Sequence, residues 1–265
     1  MRKVLIGGVA TVLAAVVVAV GADFGASIYA EYRLSRSMRA AAQLSADPNV
    51  AILGFPFIPQ ARADRYDELE IKAVGVRHPH VERATLEATM HSIGLTDRSW
   101  LIAPDATLTV GMLESRIILD SRGLGHFLGI RDLMVEAPPA DTNDATGGTT
   151  ESGISQSHGL VFTGTPKSAR LDQPVSVSVD LSVDGPDRTT LVITPTDILT
   201  GPDTADQRVP DDQRAAVLAA FRGRLPDQQL PFGVDPTSWG ARGSDVILEG
   251  ITDDVTITLA QFRPS

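Results

Sequence analysis

The sequence predicts an α+β protein with mostly antiparallel strands, and three observations support this fold class. An uncharged run, Val4–Val20, follows Arg2 and Lys3 and is typical of a helix. Most later segments alternate apolar and polar residues with a period of two, which indicates strands with one buried face, as in antiparallel sheets. Helical spacing returns in only one or two further segments. The sheet must roll so that its apolar face becomes an interior, and we expect a barrel-like arrangement.

Residues 1–22 have the basic start, apolar run and small residues of a signal peptide or an N-terminal membrane anchor. At about 1.5 Å per residue, Val4–Val20 spans roughly 25 Å, slightly less than the hydrocarbon core of a bilayer. Basic residues stay on the cytoplasmic side, so residues 23–265 are expected outside the cytoplasmic membrane as a single exported domain. The site Val20-Gly21-Ala22 is compatible with cleavage, and both a cleaved signal and a retained anchor stay open.

Charge and cysteine content exclude several functions. The formal charge is −10, and removing the positive charges of Arg2 and Lys3 leaves −12 on the exported part. An acidic domain has no bulk attraction to nucleic acid, so we expect no nucleic-acid partner and only local phosphate contacts. Cysteine is absent, which excludes disulfides, thiol catalysis and cysteine-based metal sites.

The segment 23–46 is predicted to continue the N-terminal helix and to end at Asp47-Pro48. Two apolar stripes follow helical spacing. Their residues are Phe24, Ile28 and Tyr32 in one, and Leu34, Met38, Ala41 and Ala42 in the other. Arg33, Arg36 and Arg39 form a further row, which is either a solvated face or a basic stripe near lipid headgroups.

Strands are predicted after Val50. The segment Gly54–Gln60 contains two prolines, which argue against a helix and a central strand, so we expect an edge or a bend. The alternating segments that follow are Tyr66–Val76, Ala84–His91, Thr107–Met112 and Arg116–Asp120. A short turn and helix are expected at Gly123–Gly129, and Pro138–Gln156 has the composition of a mobile loop.

The C-terminal part resumes the strands. Gly159–Thr165 is one, and Pro174–Asp184 forms a hairpin with Thr189–Thr194. A helix is predicted over Asp211–Leu225, capped by Asp211 and stopped by Pro226. The last two strands, Asp245–Glu249 and Val255–Leu259, are separated by Gly250 and the turn Thr252-Asp253-Asp254.

The residues offer little for catalysis. No nucleophile elbow, phosphate-binding glycine loop or zinc-binding spacing occurs. His78-Pro79-His80 could present two imidazoles as a metal pair, but a third ligand is not identifiable, and exposed loop histidines are the commoner explanation. We therefore predict no enzyme activity, no metal and no cofactor.

Two Pro-Phe motifs resemble one known family. They are Gly54-Phe55-Pro56-Phe57-Ile58-Pro59-Gln60 and Leu230-Pro231-Phe232-Gly233-Val234. With the N-terminal apolar segment, they make the chain similar to the actinobacterial LmeA-like phospholipid-binding family, whose namesake controls mannan chain length in the mycobacterial cell envelope. The resemblance implies an elongated, mostly β fold around a hydrophobic cavity, similar to tubular lipid-binding domains. It also implies phosphatidylinositol-type ligands and a role in mannan elongation of lipomannan and lipoarabinomannan.

Together, pattern and resemblance predict lipid-binding residues. Strict alternation places Leu108, Val110, Met112, Val177, Val179 and Leu181 on inner faces, which form either acyl-chain contacts or an ordinary core. A groove near Phe55, Phe57 and Phe232 is the second candidate.

Three functions stay open. The first is an exported lipid binder at the outer face of the cytoplasmic membrane, in the periplasm or cell envelope. The second is a scaffold partner of membrane mannosyltransferases, and the third is a hydrolase with an unrecognised site.

Overall fold

The computed structural model describes residues 2–96, 101–103, 105–137, 158–201, 204–205 and 207–262, and over these ranges the α+β class is confirmed. Helices α1 to α4 span Arg2–Ala41, Phe57–Arg62, Ser121–Leu128 and Asp211–Ala220. Strands β1 to β11 span Asn49–Leu53, Arg65–His78, Glu82–Leu95, Thr107–Leu119, Met134–Glu136, Leu160–Gly164, Val175–Asp184, Thr190–Leu199, Gly223–Leu225, Ser238–Arg242 and Asp245–Thr258. The predicted mobile loop Pro138–Gln156 lies outside the described residues.

The strands form two open sheets. The strand orders are β1-β2-β3-β4-β11-β10 and β5-β6-β7-β8-β9. Pairing is antiparallel at β1–β2, at β10–β11 and throughout the second sheet. Each order has two end strands, so the expected barrel-like closure is wrong for the described strands. The end strands have only three or five residues, which leaves little free edge for further pairing.

The chain divides into two compact units. Unit 1 comprises Met1–Ala73, Ala88–Leu113 and Thr252–Arg263, and unit 2 comprises Val74–Glu87, Glu114–Ile251 and Pro264–Ser265. Four strands, β2, β3, β4 and β11, contribute residues to both units. One exported domain over residues 23–265 stays a prediction.

In unit 1, helix α1 supplies one buried stripe and one exposed stripe. Leu34, Met38 and Ala42 are buried, as their spacing predicted. Phe24 and Ile28, from the other predicted stripe, are instead 55% and 64% exposed. Strands β2 and β3 add alternating buried residues to unit 1. These are Leu69, Ile71, Ala73, Ala88 and Met90.

In unit 2, the second sheet buries one apolar face. The predicted hairpin is confirmed, because β7 and β8 pair from Asp184↔Thr190 to Ser176↔Leu199. Helix α4 packs on β8 and buries Val217, and Phe221 just after the helix is also buried. Burial of these apolar side chains is the main force that holds this part of the chain together.

Two helix boundaries differ from the sequence expectation. The prediction that prolines exclude a helix from Gly54–Gln60 is wrong, because Pro59 lies in the first turn of α2, where its missing N–H would have had no intrahelical acceptor. Helix α4 ends at Ala220 rather than at Leu225, because the next residues pair with β8 as β9. Pro210, not Asp211, occupies its N-cap position.

The two predicted C-terminal strands are one continuous strand, β11. The expected turn Thr252-Asp253-Asp254 lies within it, and Asp254, with a positive φ of 51°, is a local irregularity of the strand. Gly250 is also inside this strand.

Candidate lipid-binding residues and surfaces

The junction between α1 and α2 is organised by Asp23. This residue is the first charge after the apolar run, and it is only 6% exposed. Its two carboxylate oxygens accept hydrogen bonds from the backbone N–H groups of Phe57 and Ile58, at 2.8 and 2.7 Å. These donors belong to the first turn of α2, where N–H groups lack intrahelical acceptors and the helix dipole favours a negative charge. Asp23 thus caps a helix that begins 34 residues later.

The two phenylalanines of the first Pro-Phe motif lie in opposite environments. Phe57 is buried, 2% exposed, and its ring lies 6.1 Å from that of Tyr66. Burial, with a smaller contribution from the negative charge of Asp64, raises the pKa of Tyr66 to about 12. Phe55 is 62% exposed, and its ring stacks on Phe24 with a centroid distance of 5.7 Å. Phe57 is therefore a core residue, whereas Phe55 is presented at the surface.

The six predicted strand residues are almost all enclosed by protein. Leu108 and Val110 are 0% and 1% exposed in unit 1, and Val177, Val179 and Leu181 are 0%, 0% and 1% exposed in unit 2. Each β7 residue faces an apolar partner on β8 across the sheet. These pairs are Val177↔Ile198, Val179↔Pro195 and Leu181↔Ile193. A side chain that no water-sized sphere can touch has no open cavity beside it, so lipid could reach these residues only if the packing opened. Their contact with acyl chains stays a prediction.

Met112 departs from the alternation predicted for β4. It is half-buried, whereas the neighbouring Leu113 is fully buried. The buried positions change phase here, from Leu108 and Val110 to Leu113 and Ser115. The period of two is therefore interrupted before Leu113, and the inward placement of Met112 stays a prediction.

The second Pro-Phe motif packs over a strand glycine in unit 2. Phe232 is half-buried and has a φ of 63°. The carbonyl of Pro231 accepts a hydrogen bond from the Ser115 hydroxyl at 2.8 Å. A Cβ atom at Gly250 would lie 2.4 Å from the carbonyl oxygen of Asp235 and 2.8 Å from a Leu230 methyl group. The close approach of this segment explains the glycine inside β11.

Two polar clefts are lined by described residues. One, in unit 1, has a volume of about 390 Å³. Its lining residues are Arg65, Tyr66, Asp67, Ser92, Ile93, Gly94 and Thr109. The other, in unit 2, has a volume of about 660 Å³. Its lining residues are Gly129, Arg131, Asp132, Thr165, Lys167 and Asp172. Both volumes are in the range of small-ligand sites, and neither cleft contains any of the nine predicted lipid-binding residues.

The two clefts differ in how their polar groups are used. In the unit 2 cleft, Asp132 accepts hydrogen bonds from the Thr165 N–H and hydroxyl at 2.9 and 2.6 Å. Desolvation alone would raise the pKa of Asp132, but these hydrogen bonds outweigh it and lower that pKa. In the unit 1 cleft, the Thr109 hydroxyl donates to the carbonyl of Gly94 at 3.2 Å and keeps a free acceptor lone pair. Arg65 adds the positive charge of this cleft.

The two histidines of the proposed metal pair are engaged in hydrogen bonds. His78 Nδ1 accepts from the N–H groups of His80 and Val81 at 3.3 and 3.4 Å. Its Nε2 lies 3.2 Å from the carbonyl oxygen of Asp227 and 3.1 Å from the side-chain amide nitrogen of Gln228. His80 Nε2 lies 3.0 Å from the Asp227 carboxylate. Burial lowers the pKa of His78. Among the described residues, no group of three potential metal ligands occurs.

Sequence reasoning overlooked Asp23 and an ion-pair cluster in unit 2. A charge directly after an uncharged run was the available signal for Asp23. Arg116 is paired with Glu249 at 2.5 Å and with Glu114, and the side chains of Arg116 and Glu249 are 12% and 2% exposed. Burial lowers the pKa of Arg116, but its bond to Glu249 and the surrounding negative charges more than compensate, and the net shift is upward. Alternation gave no signal for this cluster, because charged residues in a strand normally indicate its solvent face.

The N-terminal helix and the strands that follow it indicate a class of protein. The N-terminal helix is long and apolar enough to cross a membrane, and almost none of its apolar part is buried. It continues into a unit that contains several strands, and this arrangement is compatible with an α+β protein that carries a signal peptide or a membrane anchor.

A family model described as LmeA-like phospholipid-binding matches residues 21–251, and the chain belongs to this family. The resemblance inferred from the two Pro-Phe motifs is thereby confirmed, and the family supports phospholipid binding. Comparison with curated proteins and with solved structures finds no match.

Proposed function

We propose that this chain is an exported, non-catalytic phospholipid-binding protein of the cell envelope. In this proposal its ligands are phosphatidylinositol-type lipids, and it supports mannan chain elongation in lipomannan and lipoarabinomannan. The observation that carries the proposal is the extent of the family match. Residues 21–251 begin at the end of the apolar helix and include most of both units, so the lipid-binding part of the chain is joined directly to a membrane segment.

The lining residues of the unit 1 cleft support the choice of a phosphatidylinositol-type headgroup as the ligand. Such a headgroup combines a phosphate anion with a ring of hydroxyl groups, so it needs a cation together with hydrogen-bond acceptors and donors. Arg65 supplies the cation, Asp67 can accept from ring hydroxyls, and Ser92 and Thr109 supply hydroxyl groups. Arg65 lies three residues after the end of α2, whose first turn is held by Asp23 at the end of the membrane segment.

A non-catalytic role is supported by the state of the histidines. Nδ1 of His78 is occupied by two backbone donors, and His80 is paired with Asp227. Among the described hydrogen bonds of His78 and His80, the partners are backbone groups, Asp227 and Gln228, and none is the serine, threonine or lysine side chain that nucleophilic catalysis would use.

The experiment is native mass spectrometry of the purified full-length protein, followed by lipid-binding measurements with phosphatidylinositol, phosphatidylglycerol and phosphatidylcholine. We expect co-purified phospholipid and a preference for phosphatidylinositol. We expect Arg65→Gln to weaken phosphatidylinositol binding by roughly tenfold, since a charge-assisted hydrogen bond is lost. Arg131→Gln, in the unit 2 cleft, is the matched control and should bind normally.

Each alternative function has its own outcome. A lipid-free protein that co-purifies with a membrane mannosyltransferase would replace the proposal with a scaffold role. Turnover of a lipid or glycan would replace it with a hydrolase. In cells that lack the protein, lipomannan and lipoarabinomannan of unchanged size would contradict the role in mannan elongation.

A further inference from the structure

An exposed apolar surface lies beside the membrane segment in unit 1. It consists of Phe24 and Ile28 on α1 and Phe55 on the loop before α2, and we name it the junction surface. These side chains are 55%, 64% and 62% exposed, and the rings of Phe24 and Phe55 are stacked. Single exposed apolar residues are ordinary, but a contiguous group that includes two stacked aromatic rings indicates an interaction site.

The structure holds Phe55 outward. Its neighbour after Pro56 is the buried Phe57, whose N–H is fixed by the Asp23 carboxylate. On the other side, Gly54 has a φ of 101°, and a Cβ there would lie 2.6 Å from a carboxylate oxygen of Asp67. The backbone on both sides of Phe55 is thus held in place, and its ring lies at the surface against Phe24.

The length of the apolar helix connects the junction surface with the bilayer. Val4–Val20 spans roughly 25 Å at 1.5 Å per residue, too short for a hydrocarbon core of about 30 Å. Extending the span to Phe24 gives roughly 31 Å, which matches the core. The one charge in this extension is Asp23, and it is turned into the protein and bonded to α2. The lipid-facing side of α1 thus stays apolar as far as Phe24.

We propose that the N-terminal segment is retained as a membrane anchor and that the junction surface is a second membrane contact, which seats unit 1 on the bilayer that α1 crosses. Phe24 and Phe55 lie at the boundary of the hydrocarbon core. Ile28 lies about 6 Å further along the helix axis, within the headgroup layer. Arg36 lies about 18 Å from Phe24, beyond that layer, and its guanidinium donates a hydrogen bond to the Tyr32 hydroxyl. Continuity with the membrane helix favours the bilayer over a second protein copy as the partner. The proposal does not depend on which lipid the protein carries.

The absence of cysteine allows a direct test by site-directed spin labelling of the full-length chain. Single cysteines replace Phe24, Phe55 and, as the control, Glu70, which is exposed on β2 of unit 1. The proteins are reconstituted in nanodiscs of phosphatidylcholine and phosphatidylglycerol, with one copy per disc. We expect labels at 24 and 55 to collide preferentially with oxygen and to be shielded from a water-soluble nickel chelate. The label at 70 should show the opposite preference.

Two results would overturn the proposal. The first is a label at position 55 that meets the nickel chelate as often as the label at position 70, while circular dichroism shows a folded protein. The second is shielding of position 55 only in discs that hold two copies, which would make the junction surface a contact between copies. Phe55→Leu and Phe55→Ser, with the label at position 24, provide a second measurement. We expect the first to keep the label at its depth and the second to move it toward water.

Discussion

Substitution of Val179 distinguishes a packed interior from a lipid cavity. Val179 is 0% exposed and pairs with Leu160 on one side and Pro195 on the other. Val179→Ala removes two methyl groups, a transfer term of about 1.6 kcal/mol. It also leaves a cavity of roughly 50 Å³, which adds about 1 kcal/mol at about 24 cal/mol per Å³. We therefore expect the free energy of unfolding to fall by about 2–3 kcal/mol and the thermal midpoint to fall by roughly 5–10 °C.

The opposite change, Val179→Trp, makes the test specific to the cavity. In a close-packed interior the larger ring overpacks the site and costs about 1–3 kcal/mol or more. In a lipid-filled cavity the ring would occupy ligand space, so lipid occupancy would fall while stability changed little. Because Val179 has no exposed surface, we expect the first outcome.

The assay combines calorimetry of the full-length protein with the number of phospholipids bound per chain, measured by mass spectrometry. Val74→Ala is the matched control, since Val74 lies on a strand in the same unit but is 65% exposed, and its change should stay within about 0.5 kcal/mol. An unchanged midpoint for Val179→Trp together with lost lipid would refute the packing argument and place an acyl chain against β7.

Three further predictions concern unit 2. Gly250→Ala should lower the free energy of unfolding by at least about 1–3 kcal/mol, because the new methyl group would meet the backbone of Asp235. Calorimetry checks this change against Gly8→Ala, whose methyl group would have no protein atom within 4 Å. Arg116→Met should lower the free energy of unfolding in urea by about 3–5 kcal/mol, because it leaves the buried Glu249 carboxylate without its guanidinium partner. The double variant Arg116→Met, Glu249→Gln should recover part of that loss. Equal losses in both variants would contradict the pairing of Arg116 with Glu249. The lowered pKa of His78 means that the unfolded chain binds a proton at this residue more readily than the folded chain does. The stability that the neutral imidazole contributes is therefore complete above about pH 6.5 and is lost as the pH falls toward the folded pKa. His78→Gln should reduce the loss of stability measured below pH 6.5, and an unchanged pH profile would argue against this role.

Alternation of apolar and polar residues identified strands well where a single face is buried. In β2 and β3 the residues predicted to face inward are buried, among them Leu69, Ile71 and Met90. The same alternation fails to predict burial where the buried positions change phase along a strand, and it fails to predict a strand where another segment packs closely against it. Met112 precedes such a change in β4, and Gly250 reads as a break although a crossing segment requires the glycine within the strand. Contacts between residues distant in sequence do not affect the local spacing of apolar residues, so this spacing cannot reveal them.

The candidate site was predictable only in part. The Pro-Phe motifs identified the family and selected Phe55, but sequence did not distinguish its exposed ring from the buried ring of Phe57. That difference depends on Asp23, which lies 34 residues before Phe57 and fixes the first turn of α2. The residues of the polar clefts come from separate strands and loops, and their convergence requires the tertiary fold.

The division of four strands between the two units has a consequence for the order of events during synthesis. Unit 1 contains α1, which precedes all of unit 2 in the chain, and residues 252–262, which follow nearly all of it. Domains usually fold from the N-terminus onward as the chain emerges. Here unit 1 cannot complete its contacts until residue 262 has emerged. Its first strand, β1, therefore lacks some of the contacts of unit 1 until nearly all of unit 2 has emerged as well. Truncation before residue 252 should therefore damage unit 1, although most of unit 1 precedes unit 2 in the chain.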